Sequence, residues 1–519
     1  MSATVRKKRE ARKKRVLQQR RRRILKRLVN RPGPERLVPM MTASNIHYDL
    51  ADRVHGLSAG GIGAMLLLAR RIGLIEAIDA DLHLLKVHLP YHESDHVLNI
   101  AFNALAGGER IEHLELRRND EVYLNALGAE RIPDPTTAGD FCRRICEVDV
   151  MTLMDSINKA RQRVWAQQPP EFFDQAILDA DGTLVPSDAE CKQGMDFAYD
   201  GQYGYHPLLI SLANTAEPLF LFNRSGNRPS SERADVFLDK AVELCLATGF
   251  RTVLLRGDTD FSQTKHLDRW DATGNIRFIF GFDSHPSLKA RADELPAQAY
   301  SVLSRPVRQI KTDPRQKPER VRPEIARERG FETIHLLEEM VAEFEYQPVA
   351  CKKSYRMIVV RKLVGVDKGQ MRLFEEYRYL FYITNDREMT AEEVVFSAND
   401  RCDQENLIAQ LKGGVRALTT PVDDLVSNWA YMVMASLAWS LKAWSALLVP
   451  VSPRHETKHK EEKRKLLRME FATFCAAFIQ MPCQIVRGGR RIIYRLLSWN
   501  PWQGVFLRLV ERLHACWLC

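Results

Sequence analysis

Ala176-Ile177-Leu178-Asp179-Ala180-Asp181-Gly182-Thr183 is the stretch on which the reading of this chain turns. It is a short apolar strand that ends in two carboxylates at i and i+2, just before a glycine turn. Period-two geometry puts Asp179 and Asp181 on one face of a sheet. Carboxylates crowded at a strand end are costly unless a metal ion or a proton neutralises them. The stretch is therefore a candidate site, and the elements around it decide which chemistry it serves.

Working outward, His206–Leu212 and Pro218–Phe222 flank the turn signal Ala213-Asn214-Thr215-Ala216-Glu217 and predict an antiparallel hairpin. Ser230 and Ser231 can cap a helix to about Thr248, which Gly249 stops. Thr252–Asp258 is the next strand, Gln263–Ala272 a helix and Ile276–Gly281 a further strand. Three antiparallel strands followed by helix–strand alternation is the order of an RNase H-like core, whereas a doubly wound fold alternates from the start. In that order the first and fourth strands are neighbours, so Asp181 and Asp258 can meet at their ends.

Residues 285–330 are rich in Pro, Arg and Lys, and Arg305–Arg329 holds nine basic and four acidic residues. Glu343–Tyr346, Tyr355–Val360 and Tyr377–Ile383 then read as strands, with an Asp367-Lys368-Gly369 turn before the last. This is a β-rich insertion, suited to clamping a substrate or simply to covering the sheet. Thr390-Ala391-Glu392-Glu393 is a capping box that opens a helix ended by Gly413-Gly414. At 100° per residue, Glu405 lies about 40° around from Arg401 and Lys412 about 20° back from Glu405, so all three share a face. A solvated salt-bridging face explains Arg401 and Glu405 equally well.

The flanks are helical. In 57–165, Ile62, Met65, Leu66, Ala69 and Ile72 follow helical spacing. Gly60-Gly61-Ile62-Gly63 lacks the third glycine and the preceding strand of a dinucleotide loop. Trp429–Val449 is long enough for a membrane span, but Lys442 and several serines within it favour a buried core helix, and no membrane is expected as a partner. Basic residues recur at Arg487-Gly488-Gly489-Arg490-Arg491.

The 519 residues allow about three domains by length. The net charge of +10 is unevenly placed: residues 1–31 hold fifteen Lys/Arg against one Glu, which leaves the remainder acidic. A basic arm of this kind is the electrostatic footprint of a polyanion such as nucleic acid. Its like-charge density predicts a disordered or frayed segment. Ten scattered cysteines suit free thiols in a reducing cytoplasm. The close pairs Cys142/Cys146 and Cys516/Cys519 lack a second ligand pair for zinc. No apolar h-region follows the basic N-terminus, so no signal peptide is expected.

Phosphoryl transfer between nucleic-acid oxygens uses two hard cations roughly 3.5–4 Å apart, and carboxylates suit Mg²⁺ or Mn²⁺. Asp181, Asp258 and Glu405 form the candidate trio, from two strand ends and a late helix. Asp179 and Asp260 lie two residues from the proposed ligands and could replace them. The competing reading is a phosphatase of the haloacid-dehalogenase type, whose opening motif is also Asp-x-Asp-Gly-Thr. Its later Gly-Asp-x3-Asp motif fails here, because Ser262 stands where the last Asp is required.

Together these blocks resemble the DDE transposases of bacterial insertion sequences, in the branch with Tyr-x2-Arg-x3-Glu-x6-Lys on its third catalytic helix. Arg401-x3-Glu405-x6-Lys412 fits that spacing, with Ala398 where the Tyr would fall. Asp181-Gly182-Thr183 and Arg256-Gly257-Asp258-Thr259-Asp260-Phe261 are similar to the first and second Asp blocks. The likeness spans about residues 57–510. It implies two Mg²⁺ (or Mn²⁺) ions, bridged by Asp181 and held individually by Asp258 and Glu405. It also implies cleavage of element-end DNA, then attack of the freed 3′-hydroxyl on target DNA. Arg401 and Lys412 would contact terminal phosphates, with Arg256 as a further DNA contact; outside the likeness, Arg20, Arg21, Arg22 and Arg23 of the basic arm are expected at DNA on charge alone. Double-stranded DNA at the element's inverted-repeat ends and at the target is the expected partner, the protein acting as a homodimer beside the nucleoid of a bacterial cytoplasm. A decayed, non-catalytic DNA-binding copy is the alternative.

The expected fold is α/β (α+β), an RNase H-like catalytic core with a β-rich insertion between helical regions. Its boundaries are 1–45 for the basic arm, disordered or DNA-contacting, and 46–165 for a helical DNA-binding or dimerisation domain. The core occupies 166–290 and 390–450 around the insertion at 291–389, and 451–519 is a helical C-terminal region.

Overall fold

The computed structural model describes residues 3–28, 55–88, 90–189, 191–304, 332–368, 371–488 and 491–515. The whole basic segment Arg305–Arg329 lies outside the described residues, as do Gly489, Arg490, Cys516 and Cys519. The chain forms two compact units. One comprises residues 169–190 and 194–408; the other comprises 1–168, 191–193 and 409–519.

The first unit is built on a nine-stranded sheet. Its strands are β1 (Gln175–Gly182), β2 (Leu208–Leu212), β3 (Glu217–Phe222), β4 (Thr252–Gly257) and β5 (Ile276–Phe282). The remaining four are β6 (Ser301–Val302), β7 (Glu332–Tyr346), β8 (Tyr355–Lys368) and β9 (Met371–Thr384). The order across the sheet is β6-β7-β8-β9-β5-β4-β1-β2-β3. β1 pairs antiparallel with β2 and parallel with β4, and β4 pairs parallel with β5. Strand order 3-2-1-4-5 with these directions is an RNase H-like core in a mixed α/β fold. β1, β2, β4 and β5 are largely apolar throughout their length, as strands covered on both faces must be.

The insertion extends this sheet. β9 adds antiparallel to β5, with Phe381 opposite Phe282, and β8, β7 and β6 follow outward. β7, β8 and β9 run well beyond the apolar segments read from sequence. Their outer parts carry exposed Leu336, Glu338 and Tyr377, and there the ladders continue past register shifts at Leu336/Glu338 and Val366/Asp367. Helix α1 (Ala234–Thr248) ends at Gly249, which adopts φ +112. The capping box at Thr390 and Glu393 opens α2 (Ala391–Asp400). Val394 and Val395 of α2 join Leu254, Ile279, Val341 and Ile358 in one core, which fixes this helix against the sheet.

The expected single helix of 390–414 is broken. α2 ends at Asp400, α3 (Cys402–Ala409) follows, and Gln410–Gly414 is a π-helical turn. Uniform 100° spacing does not hold through such a turn, which is a form often found at functional sites. Lys412 sits in it, and residues from 409 onward belong to the other unit rather than to the core, where sequence spacing alone keeps 390–450 together.

That unit is mainly helical, although Cys483–Gly488 and Arg491–Leu496 pair as antiparallel strands within the 451–519 region expected to be helical; it centres on Leu425–Leu448, whose residues from Ser427 onward are all buried. It packs against the helices Glu93–Leu105 and Glu147–Trp165. Among the described residues no single helix is long and apolar enough to cross a membrane. Ala3–Leu28, expected to be disordered or frayed, is helical. Lys13, Leu17, Arg20 and Ile24 recur at helical spacing and are half-buried, while Arg12, Lys14, Arg15, Arg21, Arg22, Arg23 and Lys26 are exposed. Lys13 pairs with Glu511 at 3.0 Å, and Arg20 donates to the Ser498 and Leu496 carbonyls at 2.8 and 3.1 Å. Tertiary anchoring of that face offsets the self-repulsion that would fray the helix alone.

Candidate active site

The geometry begins with a register. In the parallel pair β1/β4, Asp179 stands opposite Arg256. Continuing one pleat further places Asp181 level with Asp258, on the same face. The two strand ends thus carry two rungs of charge with different environments.

The inner rung is closed. Arg256 Nε donates to Asp179 Oδ1 at 2.7 Å and Nη2 to Oδ2 at 2.9 Å, with both side chains almost fully buried. The third arm of the fork, Nη1, donates to the Ser397 carbonyl of α2 at 2.7 Å. Burial pushes the Asp179 carboxyl up, and the bidentate guanidinium opposes that. Arg256, expected at the DNA, is therefore a buried strut between two strands and a helix. Asp179, the alternative ligand left open by sequence, is buried with each oxygen engaged by Arg256.

The outer rung is open. Arg401, in the break between α2 and α3, directs Nη1 to Asp181 Oδ2 at 3.0 Å and Nη2 to Glu405 Oε1 at 3.8 Å. Burial pushes Asp181 up to about 6, Arg401 pulls it down and the nearby Asp258 adds to the rise. Asp258 is raised for the same leading reason, with Arg401 again opposing and Asp260 and Glu405 reinforcing. Burial disfavours the Arg401 cation, yet Asp181, Asp258 and Glu405 together raise it. Glu405 is the exposed member, its side chain 60% accessible. Asp260 lies exposed on the 3₁₀ turn Thr259–Phe261, and its N–H donates to Asp258 Oδ1 at 3.0 Å. Among the described residues Asp181, Asp258 and Glu405 do not bring three oxygens within 4.8 Å of one another; Arg401 is the cation they share.

Two glycines allow this turn to lie across the strand ends. A Cβ on Gly281 would sit 2.8 Å from the Thr259 nitrogen and 3.0 Å from the Asp258 carbonyl carbon. One on Gly257 would sit 2.6 Å from Phe261 Cβ. Either would displace the turn that follows Asp258.

Gln404 is the positioning residue that sequence reasoning missed. It is buried, and its Nε2 donates to the Asp179 carbonyl at 2.9 Å and the Leu209 carbonyl at 3.1 Å. This ties α3 to β1 and β2 one residue before Glu405. No sequence motif marks it. Arg256 did carry a signal, since Arg256/Asp258 repeats the i, i+2 spacing of Asp179/Asp181 on the neighbouring strand. Replacing Gln404 by Ala leaves two buried carbonyls without this donor. We expect a loss of about 1–3 kcal/mol and a drop in DNA cleavage without loss of DNA binding. Denaturant unfolding and a cleavage assay check this; wild-type values for both would contradict it.

The donor set fits hard divalent cations: three carboxylates, two of them raised by crowding and burial, at the ends of adjacent strands and on a facing helix. An RNase H-like sheet with acidic strand ends is the class that fold and site define. The chain matches the model of transposase DDE domain group 1 over residues 54–517 and belongs to that family. Membership makes it a transposase, an enzyme class that cleaves and transfers DNA and typically works with divalent metal ions. Among solved structures it is similar to piggyBac transposase, in a cryo-EM synaptic complex with hairpin DNA, with TM-score 0.34, 10% identity and 81% of each chain covered. No curated protein matches the chain.

Proposed function

We propose that this protein is the transposase of a bacterial insertion sequence, binding the inverted-repeat ends, cleaving there and joining the freed 3′-hydroxyl to target DNA. The observation that carries this reading is the convergence of Asp181, Asp258 and Glu405 on Arg401, with Asp258 close enough to raise Asp181. Asp181, Asp258 and Glu405 would hold two Mg²⁺ or Mn²⁺ ions. When bound, such ions supply activation of the attacking oxygen and charge stabilisation at the leaving one. The chain's own residues set the stage. Asp179, Arg256 and Gln404 fix the strand ends and α3, while Arg401 presents a guanidinium suited to a phosphate. The signature Arg401-x3-Glu405-x6-Lys412, running from the break before α3 to the π turn after it, supports the insertion-sequence branch, with Lys412 as a further phosphate contact. Pairing two ends favours a homodimer in the DNA complex.

The test is a cleavage-and-joining assay on DNA carrying the element's own ends. Mg²⁺-dependent nicking and strand joining are expected; turnover of a small phosphomonoester with no action on DNA would overturn the reading. A phosphatase would need Asp179 as an accessible nucleophile, and that side chain is buried in its ion pair with Arg256.

The exposed residues Arg21, Arg22 and Arg23 add sequence-independent affinity in this reading. Arg20 contributes indirectly, because its guanidinium is engaged by the Ser498 and Leu496 carbonyls. Replacing all three exposed arginines by Ala should flatten the plot of log affinity against log salt by about 0.9 for each phosphate no longer neutralised. An unchanged slope would remove the arm from the DNA interface.

A further inference from the structure

In the helical unit, the segment 82–92 and the helix Glu93–Leu105 bring His88, His92 and Glu93 together. One ligand atom of each lies within 4.8 Å of the other two. Glu93 opens the helix with its side chain 1% exposed. Its Oε1 accepts the Leu84 and Leu85 amide hydrogens, both at 2.9 Å, and its Oε2 faces His88 Nε2 at 3.1 Å. The His92 ring stacks on that of His88, with centroids 4.4 Å apart and planes 8° from parallel. Both imidazoles are exposed and the carboxylate is not.

A salt bridge to Glu93 needs one histidine; here two rings converge on a carboxylate whose other oxygen is already saturated by backbone donors. Fixing a carboxylate through its second oxygen is what outer-shell hydrogen bonds do for metal ligands. Imidazole nitrogen and carboxylate oxygen are zinc donors, and two His with one Glu is an established zinc set. The positive end of the helix dipole opposes a cation at this place. Three carboxylates around the first turn outweigh it. Besides Glu93, Asp79 accepts the Ser94 N–H and hydroxyl, both at 2.9 Å, and Asp95 accepts the His92 N–H at 2.9 Å.

We propose that His88, His92 and Glu93 form a zinc site that clasps the segment 82–92 to the start of helix Glu93–Leu105, with the remaining coordination position open to solvent. An imidazole binds a metal in its own plane, so ligand bonds of about 2.0–2.2 Å require the two rings to leave their stack and rotate toward Glu93; both histidines are exposed, with no core packing to prevent it. The site is separate from the strand-end carboxylates, and its donors select a softer ion than Mg²⁺.

The experiment uses the full chain without a histidine tag. It is stripped with chelator and dialysed against Zn²⁺ in excess Mg²⁺, and bound zinc is counted by elemental mass spectrometry. We expect one zinc per chain, retained by Asp181→Asn. His88→Asn and His92→Asn should each weaken retention by at least about tenfold, and the double variant should retain none. Because both histidines are exposed, these variants should fold, and Zn²⁺ should raise the melting temperature of the wild type and of Asp181→Asn but not that of the double histidine variant. The site is overturned if the wild type retains no zinc, if the double variant retains as much, or if Asp181→Asn loses it.

Discussion

Asp181→Asn is expected to lower Mg²⁺-dependent cleavage of element-end DNA by at least ~10²–10³-fold, the scale on which loss of one preorganised charge partner acts. DNA binding should survive. The same change should stabilise the metal-free fold at neutral pH. Burial raises the Asp181 carboxyl to about 6, so the folded chain holds that proton more tightly than the unfolded chain. The contribution is therefore fully present below the ordinary aspartate range and is lost as pH rises from about 4 through about 6. Removing the charge should add stability on the order of 2 kcal/mol at pH 7 in chelator, and little at pH 4. Urea unfolding at the two pH values, beside a cleavage assay, measures both effects. A variant that is inactive yet more stable at pH 7 marks a site where function opposes stability; equal destabilisation at both pH values would mean that Asp181 serves packing instead.

Arg256→Met should have the largest effect on folding. It leaves the Asp179 carboxylate buried with its partner gone, and breaking one half of a buried pair costs about 3–5 kcal/mol. It also removes the donor to the Ser397 carbonyl, loosening α2 where it leads to Arg401. Replacing both members, Asp179→Leu with Arg256→Met, should recover much of the stability, because the cost is that of an uncompensated charge rather than of a missing attraction. Cleavage should recover less, since the tie to Ser397 stays broken. Melting temperatures of the single and double variants decide this. A single variant as stable as the wild type would show that Asp179 is not held as the charged partner.

The core was legible because its signals are local. The apolar β1 ending in i, i+2 carboxylates, the hairpin turn at Ala213–Glu217, the Gly249 stop and the Thr390 capping box each follow from a few adjacent residues. Together they imply the strand order that sets Asp181 beside Asp258. Other features were not legible. Asp179 and Arg256 read as site residues because charge at a strand end resembles function; only the cross-strand register reveals that they neutralise each other. The break at Arg401 lies where Arg401 and Gln404 find tertiary partners, and in the π turn Gln410 Oε1 accepts the Phe471 N–H. The helicity of Ala3–Leu28 depends on Glu511 and on carbonyls nearly five hundred residues away. The His88/His92/Glu93 cluster lacks the cysteine pairs by which a zinc site is most readily read from sequence, and only the fold of 82–92 turns its two rings toward one carboxylate.

Metal-specific rescue tests the carboxylate centre most directly. Asp258→Cys and Asp260→Cys proteins are assayed for cleavage of element-end DNA in Mg²⁺ and in Mn²⁺, the latter tolerating a sulfur ligand better. If Asp258 is the direct ligand, Asp258→Cys is inactive in Mg²⁺ and regains cleavage in Mn²⁺, while Asp260→Cys cleaves in both. Cleavage by Asp258→Cys in Mg²⁺, or rescue confined to Asp260→Cys, would contradict that assignment.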